Sequence, residues 1–246
     1  MSRICMYFSI KDCPNPVDMI LLILLKEVII MNKRFKDPGS AITHLIAMIG
    51  AVICAFPLIT KAIRTESSLV VLAMAVFICS MILLYGASTL YHTLDISQKV
   101  NLFFRRIDHS MIFVLIAGSY TPVCLLVLKK QQGLPLLALV WATALIGIII
   151  KIFFINCPHW VSSVIYIAMG WTCVLVFKPL LHQLPPAAFG LLLAGGIIYT
   201  IGGIIYGLKL PIFNKFPKNF GSHEIFHLFV MGGSICHFIF MYAFLM

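Results

Sequence analysis

Charge is what this sequence has least of. Asp, Glu, Lys and Arg make up 11% of its 246 residues, against 61% hydrophobic. That balance excludes a soluble globular domain, in which roughly a quarter of residues are charged. Acidic residues are scarcest, 8 against 18 Lys and Arg, so the formal net charge is +10. In a chain of mean hydropathy +1.05, that excess reads as loop residues orienting membrane spans, not as a nucleic-acid surface. The eight cysteines form no C-x-x-C pair. Cys54, Cys79, Cys124, Cys173 and Cys236 sit within apolar runs, where cysteine behaves as a small hydrophobe, so the redox compartment stays open. Alternation of apolar and polar residues is missing too, which excludes a membrane β-barrel.

What is present is a series of continuous apolar runs. About 20 apolar residues cross a bilayer as a helix, and seven segments qualify: 41–60, 68–91, 108–128, 134–155, 160–181, 187–208 and 223–245. The expected fold is an all-α membrane protein, a seven-transmembrane-helix bundle. Short loops make residues 40–246 one domain behind a tail, 1–39. Arg3, Lys11, Lys26, Lys33, Arg34, Lys36, Lys99, Arg105, Arg106, Lys209, Lys215 and Lys218 fall on one side of the membrane. Lys61, Arg64, Lys129, Lys130 and Lys178 fall on the other. The positive-inside rule then puts the N-terminus in the cytoplasm and the C-terminus outside.

Met19–Met31, "MILLILLKEVIIM", is too short to span and is interrupted by Lys26 and Glu27. It reads as an interfacial helix or, preferably, as sequence upstream of a start at Met31. Gly195, Gly202, Gly203 and Gly207 in span six let helices approach closely. Internal packing is the expected use.

Ionisable residues inside spans are costly and mark functional sites. The orientation brings His92, Asp108, His223 and His227 to one membrane depth. The last two stand in "HEIFH" (223–227), four apart on one helical face, a common two-histidine zinc arrangement. His92 supplies a third imidazole, and three ligands with an open position describe a catalytic zinc site. Asp108 can hold and deprotonate a water there. Ser88, one turn before His92, can orient a ligand or bond a substrate carbonyl. His44, at the start of span one, can stand behind the ligands. His237 is fourteen residues past His223, about 21 Å deeper at 1.5 Å per residue, so it lines a cavity or bonds another helix. His109, His159 and His182 are expected to meet water and headgroups. "HEIFH" also fits the H-E-x-x-H of zinc proteases. That reading needs Glu224 as base, and membrane zinc proteases usually take a further aspartate ligand from a later helix.

"STLYH" (88–92), "RRIDHSMIFVLIAGSYTPVCL" (105–125), "IYIAMGW" (165–171) and "GSHEIFHLFVMGGSICHFIFMY" (221–242), with "ITH" (42–44), resemble the hemolysin III proteins of bacteria, kin of the progestin and adipoQ receptors of animals. The resemblance covers about residues 40–246. It implies seven helices, a cytoplasmic N-terminus, and zinc near the cytoplasmic face held by His92, His223 and His227. Asp108 holds the water and Ser88 is the motif serine. Tyr120, within the second segment, joins His44 and His237 as a residue behind the ligands or lining a cavity. Animal members carry glutamine where Glu224 stands, which weakens the protease reading. No soluble receptor domain is visible, so a hormone-receptor role does not transfer.

The expected function is zinc-dependent hydrolysis of a lipid amide or ester, ceramide-like by resemblance, serving membrane lipid homeostasis in a bacterial cytoplasmic membrane. The partner is membrane lipid, with no nucleic acid. A pore-forming or cytolytic hemolysin is the first rival, for which the sequence offers no secretion signal and no amphipathic pore-lining repeat. A zinc-containing lipid sensor without turnover is the second. Substrate and oligomeric state are not legible.

Overall fold

The computed structural model describes residues 36–208 and 221–246. The segment Met19–Met31 and the basic residues of the tail before Lys36 and of 209–220 lie outside the described residues. Seven helices are long and apolar enough to cross a membrane: α1 (Pro38–Ile63), α2 (Ser68–Thr93), α3 (Gln98–Val127), α4 (Lys130–Phe153), α5 (His159–Gln183), α6 (Pro186–Leu208) and α7 (Ser222–Phe244). No β-strand occurs among the described residues.

Local signals set the helix starts. Pro38 opens α1, where its missing N–H costs nothing. The Ser67 and Ser97 hydroxyls accept from the N–H groups of Val70 and Val100 and cap α2 and α3. The Ser97 cap explains the main departure from expectation. The sequence places Lys99, Arg105 and Arg106 in a loop and starts the third span at residue 108. The helix instead begins at Gln98, because "KVNLFFRR" is amphipathic and continues the helical path before the apolar run. Asp108 therefore stands about three turns inside α3 and is buried.

The helices pack in sequence, α1 on α2, α2 on α3 and α3 on α4, then α5 on α6 and α6 on α7, and α7 returns against α1. Large apolar side chains such as Ile53, Phe56 and Leu175 point outward, as a lipid-facing surface requires, while Phe77, Tyr85, Phe113 and Phe240 fill the interior. The glycines of α6 are used internally. A methyl group on Gly202 would meet Phe229 of α7, on Gly203 Ile167 of α5, and on Gly207 Ser163 of α5. Two helices break regular winding. α3 ends in a π turn over Val123–Val127 after Pro122, and α5 tightens to a 3-10 stretch over Trp171–Val176.

Alternating helix directions bring the start of α1, the end of α2, the start of α3, the α4–α5 connection and the start of α7 to one end of the bundle. His44, His92, Asp108, His109, His159, His223, Glu224 and His227 stand towards that end, whereas His182 and the deep His237 do not.

Candidate metal centre

The centre is built where α1, α2 and α7 meet. The Asp37 N–H donates to the His92 carbonyl at 3.0 Å, tying the start of α1 to the end of α2. The Asp37 carboxylate also receives the His92 ring, Nδ1 to Oδ2, at 3.1 Å. That bond holds the Asp37 carboxyl below the usual carboxylate range. A carboxylate only accepts, so Nδ1 carries the hydrogen and His92 Nε2 presents a bare lone pair. It faces His223 Nε2 at 3.2 Å.

His227 is oriented the same way by α1. Its Nδ1 lies 3.1 Å from Thr43 Oγ1. The Thr43 hydroxyl hydrogen goes back to the carbonyls of Gly39 and Ser40, at 3.1 and 2.9 Å. Towards His227 the hydroxyl can only accept, which leaves Nε2 of His227 unprotonated. His92, His223 and His227 each offer a nitrogen within 4.8 Å of the others, a group that could hold a metal ion.

Around the trio stand buried polar groups with nothing to bond. His44 stacks on His227, ring centroids 3.5 Å apart and planes at 10°. Both its ring nitrogens, and the Ser88 hydroxyl, lack partners among the described residues although their residues are 3% and 1% exposed. Buried orphan groups are rare and point to a ligand or water. Asp108, 6% exposed, makes one long contact, Oδ2 to His109 Nδ1 at 3.4 Å. Its carboxylate is thus largely free to accept.

His109 departs from expectation. It is buried, not wetted: its Nδ1 donates to the Arg105 carbonyl at 2.9 Å and its Nε2 accepts from the Tyr206 hydroxyl at 3.2 Å. Glu224 caps its own helix. Its Oε2 accepts from the Gly221 N–H at 2.7 Å and its Oε1 from the Ser40 hydroxyl at 2.5 Å. Both oxygens are occupied by structure.

A mostly apolar cavity of about 180 Å³ runs from His44, Ser88, Asp108, His223 and His227 into the bundle as far as Val123, Leu136 and Leu180. From Asp108 to Val123 along α3 is about 22 Å at 1.5 Å per residue. Tyr120 and His237 line it deeper in. The Tyr120 hydroxyl donates to the Gly170 carbonyl at 2.6 Å and accepts from the Cys173 N–H at 2.8 Å, which satisfies the backbone where α5 changes winding. His237 donates from Nε2 to the Leu192 carbonyl at 3.2 Å, leaving Nδ1 without a partner among the described residues.

Asp37, Ser40 and Thr43 escaped the sequence reading. Their signal was "DPGSAIT", an ordinary helix start whose polar side chains are usually spent on the helix's own first turn. That they reach α2 and α7 is visible only in three dimensions.

The comparisons agree with this architecture. A model of the family described as haemolysin-III related matches residues 32–238. The chain is 41% identical over 203 residues to "Hemolysin-3" of Bacillus cereus, covering 82% of this chain and 89% of that one. It is 41% identical over 203 residues to "Hemolysin-3 homolog" of Bacillus subtilis, covering 82% and 91%. An "Adiponectin receptor protein" of Drosophila melanogaster is 25% identical over 225 residues, covering 82% of this chain and 49% of that protein. Its seven apolar helices and its bacterial relatives make the chain a multi-pass bacterial membrane protein, and it belongs to the haemolysin III family.

Proposed function

We propose that the protein is a zinc-dependent hydrolase of lipid amides or esters. The observation that carries this reading is the set of imidazoles at the mouth of an apolar cavity, two of them held with Nε2 unprotonated, beside buried and unpartnered Ser88 and His44. Three imidazoles within 4.8 Å of one another are donors that suit zinc, and one pair already stands at its spacing. Two nitrogens at about 2.05 Å from a tetrahedral ion stand about 3.3 Å apart, and the His92 and His223 nitrogens stand 3.2 Å apart. The basic residues of the tail and α3 favour a cytoplasmic position for this end.

His92, His223 and His227 would hold the ion, which supplies Lewis acidity, acidifying a water and polarising a carbonyl. Asp108 is placed to accept the proton of an attacking water on its free carboxylate oxygen and to return it to the leaving amine or alcohol. Ser88, with its hydroxyl uncommitted, donates to the substrate carbonyl oxygen as negative charge develops there. The cavity walls take the acyl chain and exclude bulk water from the reacting carbonyl.

Purified protein loaded with zinc and presented with lipid amides and esters of graded chain length tests this. Cleavage of one class is expected. About one zinc per chain without cleavage of any would leave the sensor reading, in which the same cavity binds lipid without turnover. The relatives' name favours a cytolytic reading, but an apolar cavity does not make an ion-conducting pore. Liposome leakage that persists after His92, His223 and His227 are all replaced would favour it.

Two results distinguish the ligands from their supports. Asp37→Asn is expected to weaken zinc binding by about 10–100-fold, as loss of a carboxylate behind a ligating histidine does, read by competition with a chelator. Glu224→Gln is expected to keep the metal and most activity, since the amide can still cap Gly221. Complete loss of hydrolysis with zinc retained would revive the protease-type base.

A further inference from the structure

A second polar cluster lies at the same end of the bundle, between α4 and α5. Lys151, in the last turn of α4, is 1% exposed. Its Nζ donates to Ser162 Oγ at 2.5 Å and to Cys157 Sγ at 3.0 Å. No carboxylate pairs with it among the described residues. A buried ammonium needs an anion beside it, and Cys157 is the acid within reach.

The hydrogen-bond directions agree. Ser162 accepts from Lys151, so its own hydrogen is free to point at Cys157 Sγ, 3.3 Å away. Two donors therefore converge on one sulphur, an arrangement that stabilises charge on it. Cys157 lies in the 154–158 connection, half-buried, while the other described cysteines all stand within helices. Burial raises the Cys157 thiol, but hydrogen bonds from Ser162 and Lys151 outweigh it and hold the thiol below its ordinary range. The charged and titratable groups facing the sulphur are Lys151 of α4, Tyr166 of α5, whose ring centroid is 5.7 Å from Nζ, and Tyr206 of α6, while Arg105 of α3 is spent on the neighbouring Asn156 side chain at 3.3 Å.

We propose that Cys157 is a thiolate paired with the buried Lys151 ammonium, and that it is a modification site for peroxides. The thiolate lone pair attacks one peroxide oxygen. The S–O bond forms as the O–O bond breaks, sulphur loses two electrons, and hydroxide departs to solvent. The product is a sulfenic acid at Cys157. The site is independent of the hydrolase reading, because it shares no residue with the histidine cluster and its test needs no turnover.

The test uses the full chain in lipid nanodiscs. Iodoacetamide alkylation of Cys157 is followed by peptide mass spectrometry from pH 5 to 10, alongside dimedone trapping after hydrogen peroxide. In wild type the alkylation midpoint is expected below that of an ordinary thiol, about 8.5, with the dimedone adduct at Cys157 ahead of the other cysteines. Lys151→Met should raise the midpoint towards the ordinary value and cut the rate at pH 6.5 at least about tenfold, whereas Lys151→Arg should keep both near wild type. The wild-type profile decides even if Lys151→Met folds poorly. A wild-type midpoint at or above the ordinary value, or no dimedone adduct at Cys157, overturns the proposal.

Discussion

Asp108→Asn is expected to leave zinc in place and remove turnover. Asparagine keeps the size of the side chain and its burial, and it contributes no proton acceptor of useful basicity. None of the three imidazoles bonds to Asp108: Asp37 holds His92, Thr43 holds His227, and His223 faces His92. Loss of a positioned general base lowers kcat by about 10²–10⁴-fold. Hydrolysis rate and zinc content measured on one preparation check this. An Asn variant that cleaves at the wild-type rate would remove Asp108 from the chemistry.

Gly196→Phe is expected to convert chain-length tolerance into chain-length discrimination. Gly196 lines the cavity, and a methyl group on it would meet no atom within 4 Å. The first carbon of a side chain there meets open space instead of clashing, so the bundle should fold while the cavity shortens. Each methylene kept out of the cavity forfeits about 0.8 kcal/mol. Excluding four lowers kcat/KM for a long-chain lipid by roughly a hundred-fold. A short-chain ester should be cleaved as before. Equal effects on both substrates would mean that the acyl chain does not lie in this cavity.

Much of the fold was legible because a bilayer imposes a simple rule on composition. Seven apolar runs gave seven helices, with limits within a few residues except at the start of α3. There, positive charge reads as the end of a helix, whereas an amphipathic segment such as "KVNLFFRR" carries a helix out through the interface without interruption. The polar residues were legible by the same rule, since an imidazole or carboxylate inside a span needs a reason. The four-residue spacing of His223 and His227 survives directly as a shared helical face. Their approach to His92, and the buried Asp108 beside the same cavity, required only that helix directions alternate.

The rest depended on which surface each side chain meets. Asp37, Ser40 and Thr43 look like helix-start residues, but their side chains reach His92, Glu224 and His227 on other helices. His109 is one residue from Asp108 and therefore on another face of α3, where the Tyr206 hydroxyl happens to wait. Lys151 gave no signal beyond its place at the end of an apolar run. Its burial against Cys157 follows from the tight α4–α5 connection, which no periodicity encodes.

Elemental analysis of the purified protein, wild type beside His223→Ala, tests the metal centre most directly. About one zinc per chain in the first and almost none in the second is the expected result. Wild-type protein that holds no zinc after zinc loading, or a variant that keeps its full complement, would contradict it.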